Sequence, residues 1–134
     1  MIKILIAEDS NVIQRILKDV LAKQKDFEIV GQALNGEDAV KMALKLNPDV
    51  IIMDYRMPKM NGPQAIKAIM SMNPKPIMVF TSAEPADQIK QEVLGLGALA
   101  FMAKPNTLNY DELGMKLTTN IQTISRMKPA KRSY

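Results

Sequence analysis

Apolar residues along this chain gather into five short runs. They are IKILIA (Ile2–Ala7), FEIVGQ (27–32), VIIM (Val50–Met53), PIMVF (76–80) and ALAFMA (98–103), and they recur at intervals of roughly 20–25 residues. Each run is short and bounded by turn-forming or charged residues, so each predicts a strand. The segments between them carry a helical period instead. After Ser10, a residue suited to capping, Ile13, Ile16, Leu17, Val20 and Leu21 recur at spacings of three and four and line one apolar face. A second helix is expected over about 37–46, ended by Asn47 and Pro48, and a third just after Gly62 with Pro63 in its first turn. A fourth, over about 86–96, has the thinnest apolar face, whereas the fifth is regular, with Leu113, Leu117, Ile121 and Ile124 on one side.

Five alternations of strand and helix, with strands too apolar to have a wet face, predict an α/β fold. Its parallel sheet is covered by helices on both sides through right-handed crossovers, in three layers. Such doubly wound, flavodoxin-like (βα)5 sheets bind ligands beyond the carboxyl ends of their strands, where the strand order reverses. Glu8 and Asp9 follow the first strand, Asp54 the third, Thr81 and Ser82 the fourth, and Lys104 and Pro105 the fifth. With the order 2-1-3-4-5, the first and third strands are neighbours, and three carboxyl groups converge from two loops.

Three carboxylates at ~4 Å repel by about 4 kcal/mol per pair at an effective dielectric near 20, which rivals the stability of a whole domain. Lys104 offers one counter-charge. A hard divalent cation offers the other, and a few carboxylates with room for water suit Mg2+ better than a transition metal. A cation beside a carboxylate, with a lysine and a hydroxyl opposite, is a site that holds a phosphoryl group.

Composition narrows the alternatives. The 134 residues include no cysteine and no histidine, which excludes disulfides, Cys/His zinc sites, thiol nucleophiles and Ser-His-Asp triads on this chain. The length fits one domain. The net charge of +4 resides in Arg126, Lys128, Lys131 and Arg132; setting them aside leaves fourteen basic and fourteen acidic residues. Residues 1–125 are thus read as the domain, and 126–134 as a basic tail or linker stub, solvated rather than a nucleic-acid arm. The start has too little apolar sequence for a secretory signal, and the longest mainly apolar stretch, VLGLGALAFMA, is too short to span a bilayer. A cytoplasmic protein without direct membrane or nucleic-acid partners is expected.

The blocks ILIAEDS, DVIIMDYRMPKMNG, MVFTSAE and LGLGALAFMAKP resemble, in order and spacing, the receiver domain of two-component response regulators. The resemblance implies that Asp54 accepts a phosphoryl group from a partner histidine kinase. It implies Mg2+ held by Asp9, Asp54 and the backbone carbonyl of Arg56, with Glu8 acting directly or through water. Thr81 would bond the phosphoryl group, Lys104 would pair with it, and Phe101 would be the aromatic switch. An output domain or partner would read the surface of the fourth helix, fifth strand and fifth helix. The resemblance also implies a cis Lys104–Pro105 bond. Glu8, where an aspartate is more usual, and Arg56, two residues past Asp54, depart from the family's pattern.

Within that family, EDSNVIQRIL, LNPDVIIMDYRMPKMNGPQAI and PIMVFTSA are similar to the regulatory domain of the chemotaxis protein-glutamate methylesterase. These 134 residues are expected to hold no esterase half, and without histidine they are not expected to act as an esterase. A stand-alone single-domain regulator is the alternative. An aspartate-nucleophile phosphohydrolase of the haloacid dehalogenase type would want an acid where Arg56 stands. A flavin binder would want a phosphate loop where Glu8 and Asp9 stand.

Overall fold

The computed structural model describes residues 1–107 and 109–134. Strands β1 (Ile2–Ala7), β2 (Phe27–Ala33), β3 (Val50–Met53), β4 (Ile77–Thr81) and β5 (Ala100–Ala103) alternate with helices α1 (Asn11–Leu21), α2 (Gly36–Leu46), α3 (Gly62–Met72), α4 (Ala86–Leu96) and α5 (Tyr110–Ile124). The strands form one sheet in the order β2-β1-β3-β4-β5, and every neighbouring pair is parallel.

Strand alternation divides the core in two, because successive side chains leave opposite faces of the sheet. Leu5, Ile51, Met53, Ile77 and Val79 meet the inner sides of α2, α3 and α4 on one face. Ile4, Ile6, Val50, Ile52, Met78 and Phe80 meet α1 and α5 on the other. Both faces being buried explains why these strands read as continuous apolar runs.

Caps fix the helix starts. The side chains of Ser10, Asn35, Asn61 and Asn109 accept N–H groups at the first turns of α1, α2, α3 and α5, and Asn61 with Gln64 forms a reciprocal capping box. Helix α4 has no side-chain cap and buries only Ile89 and Val93, so it is the most weakly anchored helix.

The basic tail is solvent-exposed except at Pro129, and it also makes hydrogen bonds to the domain. The Arg132 N–H donates to the Met70 carbonyl at 3.0 Å. Its guanidinium donates to the Gly95 carbonyl at 2.7 Å, and the Tyr134 hydroxyl donates to the Leu96 carbonyl at 2.5 Å. The final carbonyls of a helix lack intrahelical donors and carry partial negative charge, so a cationic segment finds partners there while its side chains stay exposed.

Among the described residues the cis peptide bond is Glu84–Pro85, and Lys104–Pro105 is not cis, contrary to expectation. Lys104 needs no such turn to face the site. Its N–H extends the sheet ladder to the Thr81 carbonyl at 2.9 Å, and its side chain is long enough to reach the acids from there. No helix among the described residues is long and apolar enough to cross a membrane.

Candidate functional site

Three residues stand one step beyond a strand yet still belong to the ladder. The N–H of Glu8 donates to the Ala33 carbonyl, that of Asp54 to Ala7, and that of Lys104 to Thr81, each at 2.9 Å. The sheet therefore sets their backbone positions, and the side chains converge above it. Lys104 Nζ lies 2.5 Å from Glu8 Oε1 and 3.0 Å from Asp54 Oδ2. Glu8, Asp9 and Asp54 each offer a carboxylate oxygen within 4.8 Å of the others. Glu8 and Asp54 are buried, at 2% and 8% exposure, whereas Asp9 is open to solvent.

Each side chain is further tied to its loop. Ser10 N–H donates to Glu8 Oε2 at 3.0 Å, and Tyr55 N–H donates to Asp54 Oδ1 at 2.7 Å. Burial dominates the titration of Glu8. It raises the pKa from 4.5 to about 7 against the lowering effect of the Lys104 hydrogen bond, and the charge on Asp54 adds to the rise. Burial also opposes the charge on Lys104, but its bond to Glu8 and the charge on Asp54 outweigh burial and lift the ammonium above its ordinary range.

The loop after Asp54 closes tightly. Gly62 N–H donates to the Tyr55 carbonyl at 2.7 Å, and a Cβ on Gly62 would stand 2.5 Å from the Asp54 carbonyl oxygen and 2.9 Å from Tyr55 Cα. Those neighbours are backbone atoms and cannot rotate away. Gly62→Ala is accordingly expected to cost about 2 kcal/mol or more in urea unfolding, since relief requires moving the segment that carries Asp54. A loss under about 0.5 kcal/mol would show that the loop is not so confined.

The remaining sequence-predicted residues lie nearby, in different settings. Thr81 is buried at the end of β4, and its hydroxyl oxygen accepts the Ala83 N–H at 3.1 Å. Phe101 pairs in register with Val79, two residues before Thr81, and packs half-buried against the core facing α4. Arg56 is exposed, with its guanidinium 5.8 Å from the centre of the Tyr55 ring. Two further side chains escaped the sequence reading. The Tyr55 hydroxyl donates to Glu92 on α4 at 2.5 Å, and buried Gln14 on α1 reaches the end of β1. Neither pairing has a sequence signal beyond a polar residue of the right length; both depend on tertiary placement.

Three acids meet at a sheet switch point, and a lysine just beyond the last strand bridges two of them, Glu8 and Asp54. Residues 4–125 match the response regulator receiver domain family. The chain belongs to that family. The receiver is 40% identical over 126 residues to the protein-glutamate methylesterase/protein-glutamine glutaminase of Methanococcoides burtonii, covering 92% of this chain and 36% of that protein. It is 41% identical over 105 residues to the corresponding protein of Caldanaerobacter subterraneus subsp. tengcongensis, covering 78% and 29%. The receiver spans well under half the length of these relatives. Among solved structures, the response regulator domain of Thermotoga maritima CheB has a TM-score of 0.89 at 35% identity, with 96% of this chain and 99% of that chain covered. The CheX–CheY–BeF3–Mg2+ complex from Borrelia burgdorferi has a TM-score of 0.77 at 25% identity, with 88% and 87% covered. The receiver is thus CheB-like in its regulatory part.

Proposed function

We propose that Asp54 is the phosphoacceptor of this receiver, that Mg2+ assists the transfer, and that phosphorylation alters the surface of α4, β5 and α5. The donor would be a partner histidine kinase, and the regulated output a methylesterase of the chemotaxis type. The observation that carries the reading is the lysine bridge. Lys104 holds two buried carboxylates at 2.5 and 3.0 Å, so one of them can exchange its partner for a phosphoryl oxygen without stranding the cation.

In the transfer, an Asp54 carboxylate oxygen attacks the phosphorus of the phosphohistidine. The P–N bond breaks, its electron pair stays on the imidazole nitrogen, which takes up a proton, and an aspartyl phosphate forms. Lys104 pairs with the transferred group, and the Thr81 hydroxyl turns from Ala83 to donate to it. Glu8, Asp9 and Asp54, with the Arg56 carbonyl, are the oxygen donors suited to a hard cation. Bound there, Mg2+ would supply positive charge that offsets the charge of the phosphoryl oxygens.

Movement of Thr81 opens space beside Phe101, and α4 is the element least able to resist repacking. Amide exchange of protein labelled with acetyl phosphate is expected to change around Asp54, at Thr81, through residues 86–101 and into 113–117, with α2 nearly silent. Changes confined to the Asp54 loop, or concentrated on α2, would contradict this output face.

A further inference from the structure

We infer that Gln14 is a positioning residue for the acidic cluster, its buried carboxamide fixing the end of β1 so that Glu8 and Asp9 face Asp54. The inference rests on the proposed role of Asp54. Gln14 lies three and seven residues before Leu17 and Leu21, on the stripe of α1 that packs into the core. At 4% exposure it is as buried as its apolar neighbours, in a place where an apolar side chain would satisfy the helix.

Its Nε2 lies 2.9 Å from the Ala33 carbonyl, 3.0 Å from Glu8 and 3.2 Å from Ile6. These carbonyls sit toward the carboxyl ends of β2 and β1, and Ala33 also accepts the Glu8 N–H. Its Oε1 is buried with no partner. An apolar side chain here would leave the buried Glu8 carbonyl without this donor, so the amide serves the end of β1 and not only the packing of α1.

What the amide does is hold Glu8 from a second side. The Glu8 N–H is fixed by the Ala33 carbonyl, and the Glu8 carbonyl by Gln14. With both backbone groups held, the Glu8 side chain leaves the sheet from a fixed point toward Lys104, and Asp9 follows at a fixed pitch. Groups that orient ligating residues in this way commonly influence cation affinity as strongly as some ligands do.

The test compares the parent chain with Gln14→Met, which keeps the length and removes both the N–H donors and the orphaned oxygen. Mg2+ alone is titrated by calorimetry and by amide shifts of Glu8 and Asp9, and acetyl phosphate labelling is followed across Mg2+ concentrations. The expected result is a Mg2+ dissociation constant raised by about tenfold, with labelling slowed by a similar factor at low Mg2+ and largely restored at saturation. The melting temperature should fall modestly, because the buried Glu8 carbonyl loses its donor. A variant that binds Mg2+ and labels like the parent overturns the inference whatever its stability, and leaves the Asp54 reading standing. A parent that takes no label overturns both. If Gln14→Met does not fold, Gln14→Asn, whose amide falls one methylene short, is measured against the same outcomes.

Discussion

The Asp54→Asn protein is expected to take up acetyl phosphate label at under about one hundredth of the parent's rate, because an amide oxygen is too weak a nucleophile to open the phosphodonor. The fold should survive. Asparagine has the same shape and keeps an oxygen to accept the Tyr55 N–H, so the loop loses no backbone bond. It also removes a negative charge that raises the pKa of Glu8, so Glu8 should ionise more readily beside Lys104. Urea unfolding should therefore show stability equal to the parent's or greater, and the Mg2+-induced rise in melting temperature should shrink as one donor is lost. A variant that labels at the parent's rate would remove Asp54 from the centre of the site.

Lys104→Met is expected to have the other large effect, and its size should depend on pH. Removing one partner of a buried pair leaves the other charge uncompensated, at a cost of about 3–5 kcal/mol. Glu8 can escape that cost by taking a proton. Its folded pKa already stands at about 7, against 4.5 for the ordinary group, through burial first. For an acid whose folded pKa is raised, the folded state binds more protons than the unfolded one. The associated stability is present below about 4.5 and is lost as pH rises through about 7. Losing Lys104 removes a lowering influence and widens that window upward. The variant should thus be weakened most at pH 8 and least near pH 5, with Mg2+ recovering part of the loss at pH 8. Equal losses at both pH values in urea unfolding would mean that Glu8 does not carry the charge that Lys104 balances.

The legible features were those set by backbone order. Alternating apolar runs specified strands buried on both faces, and the order β2-β1-β3-β4-β5 brings together the ends of β1 and β3 that carry Glu8, Asp9 and Asp54. The features that escaped belong to tertiary contacts. In α1 the pattern directed attention to Ile13 and Ile16, which are only half-buried, whereas Gln14 between them is buried, because the helix turns its amide toward buried carbonyls near the carboxyl ends of β1 and β2. The tail's charge suggested water, and Arg132 and Tyr134 are exposed; what the charge left unsaid is that both also reach the carbonyls at the end of α4. Lys104–Pro105 was expected to be cis in order to aim the lysine, but the ladder bond to Thr81 and a long side chain already do so. Sequence periodicity reports which face of an element is buried, and leaves open which polar group on a neighbouring element will meet it.

The central claim, that Asp54 is the residue that becomes phosphorylated, is tested most directly by locating the label. The parent chain is incubated with acetyl phosphate and Mg2+, digested with trypsin, and its peptides are fragmented in a mass spectrometer. The account predicts one phosphoryl group on the peptide of residues 46–56, assigned by fragmentation to Asp54 rather than Asp49, and little label when Mg2+ is chelated. Label on Glu8 or Asp9, label that forms equally well without Mg2+, or no label at all would contradict it.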